Sequence, residues 1–328
     1  MNQNIGFDPG AGALKLALRD TVIEQPAIIA SDGSPVLAER AGLAAGIVVG
    51  ERPTRVTTHG RVYWVGPTAH AWGRPLENLD ESRLTGGAPE MEALLGAALS
   101  QAATLPERVH LAVGLPLSTL QDDAIEATLS AARAWLTGAH QWRVERGDTT
   151  YELETTITGV TFTAQPIAAL LDYLLDDAGQ YRPERRGLAK AEIGVISLGM
   201  NTVELLVIQA LKIVQRFSAG HTLGVRRLLD LCNPGSLYSR GELDARLRAG
   251  TLDIAAALPV WESEVRGEIE QRWGSAWRRF QRILIVGGGA HLLRDLPLRF
   301  EGRAVVSEQP VQSIARGLWK LAERGNGA

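Results

Sequence analysis

Apolar positions two apart at Ile5 and Phe7, a short turn, then Leu14, Leu16 and Leu18 give the start of the chain the pattern of a β-hairpin. Residues 21–26 continue it as a third strand. A second period-two stretch over residues 55–66 turns at His59-Gly60 and predicts another hairpin. Residues 27–45 between them, with Ser-Asp-Gly-Ser-Pro at the centre, show no clear period. The period then changes. Pro89-Glu90 opens a helix over residues 91–103, with Leu94, Leu95, Ala98 and Leu99 at helical spacing. A buried strand follows at 109–114, and then a helix with Ser118 as N-cap and Ile125, Leu129, Ala132 and Leu136 as its apolar stripe. Residues 141–163 return to a β pattern. Gln165-Pro166 starts a helix that the pattern ends near Gly179, and 182–187 reads as an exposed, charged loop.

The second half repeats the opening theme. Residues 193–208 are again strand, short turn, strand; Ser197-Leu198-Gly199 overlies Asp8-Pro9-Gly10, Asn201 overlies Gly12 and Glu204 overlies Lys15. Asn tolerates left-handed backbone where Gly is absent, so an internal duplication is the simplest reading. A third strand is expected at 212–218, with helices at 223–231, 241–248 and 252–280, the last broken near Pro259. Residues 282–286 form a buried strand that stops at Gly287-Gly288-Gly289, residues 305–306 a short strand, and 311–323 a final helix after Pro310. Strands separated by helices imply sheets with helices packed on them.

Composition narrows the classes. The chain has 328 residues, 45% hydrophobic and 22% charged, enough for two ordinary globular domains. A net charge of −3 gives no electrostatic case for nucleic acid or an anionic membrane surface. The arginine clusters at 185–186 and 278–282 read as solvated faces. A single cysteine, Cys232, rules out an intramolecular disulfide, and no Cys/His set has zinc spacing. No stretch has the length and apolarity of a membrane span, and Met1-Asn2-Gln3-Asn4 enters the first strand with no leader pattern, so a cytoplasmic location is expected.

Three places carry chemistry. The turn Gly10-Ala11-Gly12-Ala13 presents backbone N–H groups without intervening side chains, a shape suited to phosphate; Asp8 at its edge could hold a hydrated Mg²⁺, and Lys15 offsets negative charge. An ordinary hairpin would satisfy the same letters. Its copy at 197–202 is the second. Gly287, Gly288, Gly289 and Ala290, at the C-terminal end of a strand, let a flat ring come close, although tight strand-to-helix packing also uses glycine there.

In this order and spacing, the set resembles the actin/chaperone/sugar-kinase superfamily, and within it the prokaryotic actin-like ATPases of the ParM type. Gly60-Arg61-Val62-Tyr63-Trp64-Val65-Gly66, Val113-Gly114-Leu115-Pro116-Leu117 and Ile314-Ala315-Arg316-Gly317-Leu318 carry the closer likeness. The resemblance implies an α/β, duplicated ribonuclease-H-type fold of two domains around a nucleotide cleft. Residues 1–164 would form domain I, with a small inserted β subdomain at about 27–85. Residues 165–310 would form domain II, with a helical insertion at about 219–280, and a C-terminal helix at 311–328 would return to domain I.

By the same resemblance Asp8 binds Mg²⁺ through water, and Gly10 to Gly12 with Lys15 contact the phosphates of ATP or GTP. Gly199, Met200, Asn201 and Thr202 close from the other domain, and residues 287–290 face the adenosine. Gln165 stands where many relatives have a glutamate that orients the attacking water; an amide can position water but cannot take its proton, and phosphoryl transfer depends mainly on placement and charge. Ser197 stands where relatives have a second metal-binding aspartate, and Met200 where they have glycine. Both departures favour nucleotide binding over rapid hydrolysis. The implied function is ATP-controlled self-association into filaments, with an adaptor protein and a cytoskeletal or DNA-segregating role by analogy. A small-molecule kinase of the same fold is a competing reading, but no aspartate base stands beside the phosphate turns and one cysteine excludes the zinc cluster of one large group of sugar kinases. A non-hydrolysing, nucleotide-dependent scaffold is the third.

Overall fold

The computed structural model describes residues 3–31, 50–77, 79, 83 and 86–326. Most of the patternless stretch at 27–45 lies outside them, as does most of 78–85. In chain order the first half holds β1 (Gln3–Pro9), β2 (Ala13–Ala17), β3 (Val22–Pro26), β4 (Ile29–Ser31), β5 (Thr54–Thr58), β6 (Arg61–Val65), β7 (Arg74–Pro75), α1 (Pro89–Leu99), β8 (Arg108–Leu115), α2 (Leu117–Leu120), α3 (Ile125–Leu136), β9 (Gly138–Arg146) and β10 (Thr149–Ala164). The second holds α4 (Gln165–Leu174), β11 (Glu192–Leu198), β12 (Val203–Gln209), β13 (Lys212–Ile213), β14 (Ala219–His221), α5 (Val225–Leu231), α6 (Arg240–Arg248), α7 (Leu258–Trp273), β15 (Arg282–Val286), β16 (Ala304–Val306) and α8 (Ser313–Asn326).

The duplication read from the letters is present in the hydrogen bonding. The first sheet contains the strand order β3-β2-β1-β8-β10, and the second sheet runs β13-β12-β11-β15-β16. In each, an antiparallel hairpin is followed by a parallel strand beside its first member. The registers agree too: Asp8 pairs with Lys15 and Ser197 with Glu204. The parallel strands end with their C-termini on the side where open α/β sheets receive ligands.

Three apolar clusters hold this frame. One packs α1 (Met91, Leu94) on Phe7, Leu14 and Trp142 of the first sheet. Another gathers Trp261, Trp273 and Phe280 on the second sheet. The third joins Ala112 from the first sheet, Val195 and Leu284 from the second, Ala168 and Leu170 of α4 and Leu318 of α8. The two helices therefore fill the space between the sheets, and their approach is close: a Cβ on Gly317 would lie 1.7 Å from the Ala168 carbonyl oxygen.

Several local expectations change. β5 and β6 do form a hairpin at His59-Gly60, but β5 pairs with β9, so these strands extend the first sheet instead of forming a separate one. Ser118 lies inside a short α2 that begins after Pro116, and α3 starts anew at Ile125 after the Asp122 carboxylate accepts the Ala124 N–H at 2.8 Å. α4 stops at Leu174, well short of Gly179. Residues 183–190 are wound into 3₁₀ turns, anchored by Arg185 donating to the Tyr173 carbonyl. The strand expected at 212–218 is interrupted by a 3₁₀ turn at Gln215–Phe217. Pro259 lies in the first turn of α7 and so starts a helix it was expected to break, because its missing N–H costs nothing there.

Candidate functional site

Asp8 is the last residue but one of β1 and Ser197 of β11, Gly287 follows β15, Leu115 ends β8 and Gln165 follows β10. Five strand ends thus converge on one cleft of about 390 Å³ between the two sheets, within the range of small-molecule sites. Of the residues singled out from the sequence, Asp8, Gly10, Ala11, Gly12, Ala13, Lys15, Gln165, Ser197, Gly199, Met200, Asn201, Thr202, Gly287 and Gly288 line it. Gly289 and Ala290 do not. A Cβ on Gly289 would meet Leu198 Cβ at 2.9 Å and Trp261 at 3.2 Å, so this glycine serves core packing, and Ala290 is buried beside it. Gly287 has φ +89° and its α-carbon faces the Leu198 carbonyl, which makes it a turn residue. Only Gly288 of the three has open space where a side chain would project.

Asp8 is held from two sides in the cleft. It is 1% exposed, and both carboxylate oxygens are engaged: Lys15 Nζ donates to Oδ2 at 3.1 Å, and Gln165 Nε2 donates to Oδ1 at 2.9 Å. The first bond follows from the hairpin register that places Lys15 opposite Asp8. The second follows from Gln165 being the first residue of α4, directly after β10. With its nitrogen donating to Asp8, the Gln165 carbonyl oxygen is left to accept from a water. Such a bonded, buried carboxylate is held in one orientation before any ligand arrives.

Across the cleft Ser197 is 3% exposed and contributes only a hydroxyl. The two hairpin tips touch: a Cβ on Gly12 would lie 3.0 Å from Met200 Cβ and 3.0 Å from its Cε. Asn201 Nδ2 donates to the Leu79 carbonyl oxygen at 3.2 Å, a further link between the halves.

Sequence reasoning missed one whole side of the cleft. Glu24 on β3, Asp244, Leu247 and Arg248 on α6, and His291 and Leu292 after the glycines also line it. Burial pushes the Asp244 carboxyl above the ordinary aspartate range, with the charge of Arg248 pulling the other way. The signal in the sequence was thin: Asp244 and Arg248 stand four apart on a helix, a spacing that ordinarily marks a surface ion pair.

The donor set fits a hydrated Mg²⁺ held against phosphate. Hard cations of this size keep several waters and take one or two carboxylates, and Asp8 with the Ser197 hydroxyl supplies one carboxylate and one neutral oxygen. No cluster of three or more His, Cys, Asp or Glu placed to hold a metal occurs among the described residues.

No curated protein matches the chain by sequence. Among solved structures, the chain is similar to a quadruple mutant of pCBH ParM described as non-polymerisable, with 18% identity, a TM-score of 0.75, and 99% of this chain and 100% of that one covered. It is similar to an archaeal actin homologue in complex with ADP at 18% identity and TM-score 0.71, covering 98% and 99%. It is also similar to the subunit of a 15-stranded ParM filament from Clostridium botulinum at 19% identity and TM-score 0.70, covering 99% and 100%. The chain as a whole therefore has the actin-like fold of the ParM type, and its residues 6–167 match the family of actin-like proteins, N-terminal domain.

Proposed function

We propose that the cleft binds a purine nucleoside triphosphate with Mg²⁺, and that the nucleotide controls self-association of the chain into filaments. The observation that carries this reading is the pair of hairpins in matching register, tip to tip across a cleft, with a buried Asp8 fixed between Lys15 and Gln165. Backbone N–H groups of Gly10 to Ala13 and of Gly199 to Thr202 would hold the phosphates from two sides. The open face at Gly288 would take the base, so that residues 1–164 and 165–310 act as two jaws on one ligand. The filament structure among the similar proteins, and the ADP held by another, support self-association and nucleotide binding respectively.

Asp8 and Ser197 would hold the hydrated metal, which supplies charge neutralisation of the phosphates. Gln165, tied to Asp8, would position the attacking water without removing its proton. One carboxylate instead of two, and Met200 in the phosphate path, give slow hydrolysis. The kinase reading is disfavoured because Glu24 and Asp244, the acids lining the cleft besides Asp8, are both bound by Arg248. The scaffold reading rests on Ser197 and Met200 alone. No helix among the described residues is long and apolar enough to cross a membrane.

Light scattering and phosphate release measured together on the purified chain test this. ATP with Mg²⁺ raises scattering, and slow phosphate release follows it. Scattering without release over hours favours the scaffold, and ADP release that depends on an added sugar favours the kinase.

A further inference from the structure

α6 is held against the first half of the chain at both ends. At its start Ser239 forms a reciprocal capping box with Glu242, and the Arg240 N–H donates to Glu77 Oε1 at 2.6 Å. At its end Arg248 makes three bonds with three different partners. Its Nε donates to Asp244 Oδ2 at 2.8 Å, one turn back on the same helix. One terminal nitrogen donates to Glu24 Oε1 on β3 at 3.1 Å, and the other donates to the carbonyl oxygen of Gly12 at 2.9 Å.

The pieces of this arrangement do different work. Asp244 is nearly buried, its side chain 8% exposed, and it fixes the plane of the guanidinium. The other two bonds cross from the second half to the first. One goes to a charge, the other to the backbone at the tip of the phosphate hairpin itself. A planar fork with donors pointing in fixed directions can serve three acceptors at once, whereas a lysine ammonium on the same stem is a single point. The Arg248 and Glu24 side chains are 35% and 31% exposed, so the pair is partly desolvated. Both residues line the cleft. A group that bonds both walls of a cleft must let go of one of them whenever the walls part to admit or release a ligand.

We propose that Arg248 is a latch between the two halves: a positioning residue that, by binding Glu24 and the Gly12 carbonyl, holds the cleft closed and sets the rate of nucleotide exchange. The exchange part rests on the nucleotide reading above; the closure part does not. The latch also explains how the cleft is closed by protein contacts alone, with Met200 against Gly12 as its apolar counterpart.

The test uses Glu24→Ala and Glu24→Gln in the full chain, because Glu24 is partly exposed and its loss leaves no buried charge. Two quantities are read: the radius of gyration of the nucleotide-free protein by small-angle scattering, and the release rate of a fluorescent N-methylanthraniloyl ATP chased with excess ATP. The latch predicts a larger radius for Glu24→Ala, an intermediate one for Glu24→Gln, and release faster by about tenfold with association also faster. Arg248→Lys behaves like Glu24→Ala, and added salt moves the wild type the same way. An unchanged radius overturns the proposal, whether release is unchanged or is faster with slower association, the latter meaning that Glu24 touches the ligand directly. A larger radius in a protein that binds no nucleotide upholds the latch and sinks the nucleotide reading instead.

Discussion

At the level of single residues, the two facing strand ends are asymmetric. Asp8 is a buried acid with both oxygens bonded, and its counterpart Ser197 is a buried hydroxyl. Replacing Asp8 with alanine removes the carboxylate and releases both Lys15 and Gln165. On the proposed reading, Mg²⁺-dependent phosphate release should fall by about a hundredfold or more, since positioning and charge stabilisation supply most of phosphoryl-transfer catalysis. Ser197→Asp should do the reverse, raising Mg²⁺ affinity and turnover as judged by a Mg²⁺ titration of phosphate release. Asp8, Lys15 and Ser197 were legible in the sequence because a hairpin register fixes which residues face one another, and the letters on both sides of the turn were distinctive. The separate roles of the three glycines were not, because which α-carbon faces the cleft and which faces Leu198 depends on a turn whose φ is set by packing.

At the level of elements, the pair α4 and α8 joins the halves, and its energetics are unusual. Lys320 on α8 is fully buried, and its ammonium donates to Asp172 Oδ1 at 2.7 Å, to the Asp172 carbonyl at 3.2 Å and to the Leu175 carbonyl at 3.0 Å. It neutralises an acid and caps the C-terminal carbonyls of α4 at once. Asp172→Ala would leave that charge with backbone carbonyls and only the exposed Asp177 carboxylate at 3.6 Å, and would also release Arg316, and should cost about 3 kcal/mol in denaturant unfolding. Gly317→Ala, with its Cβ aimed at the Ala168 carbonyl, should cost about 1–3 kcal/mol through forced separation of the helices.

A second element-level contact ties α1 to β9. Both ring nitrogens of His140 face acceptors, Glu92 Oε1 at 3.3 Å and the Leu136 carbonyl at 2.8 Å, and only the imidazolium donates from both. Burial works against that charge, but the Glu92 and Leu136 bonds outweigh it and raise His140 above the ordinary histidine range. Burial likewise works against the charge on Glu92, and His140 with His59 outweighs it and holds the carboxyl below the usual glutamate range. The His140 contribution is therefore complete below about pH 6.5 and is lost as pH rises through its higher folded value. That of Glu92 is complete above about pH 4.3 and is lost as pH falls through its lower folded value. Stability measured by thermal unfolding should decline from about pH 6 to 8, and His140→Gln should flatten that decline. Helix and strand identities were largely readable from hydrophobic period. What was not readable, such as the arrival of α6 at the cleft or the break between α2 and α3, is set by contacts between residues far apart in the chain.

For the whole molecule, the repeated strand order is the firmest link between sequence and architecture: two copies of one sheet, each ending in a hairpin, leave a cleft where their strand ends face each other. The duplication was visible in the sequence because the strand patterns recur, and it survives although the letters at 197–201 differ from those at 8–12. The joining of β5 to β9 was not visible, since an edge pairing leaves little trace in the apolar pattern of either strand. On the proposed reading, a cleft bridged by Arg248 and by the tips of both hairpins would convert occupancy into relative position of the halves. Relative position is what a head-to-tail contact between copies would sense. The most direct measurement is negative-stain electron microscopy of the purified chain with and without ATP and Mg²⁺. Nucleotide control of assembly means filaments with nucleotide and none without it, and their absence in Asp8→Ala. Filaments that form equally well without nucleotide, or none at any protein concentration with it, would contradict it.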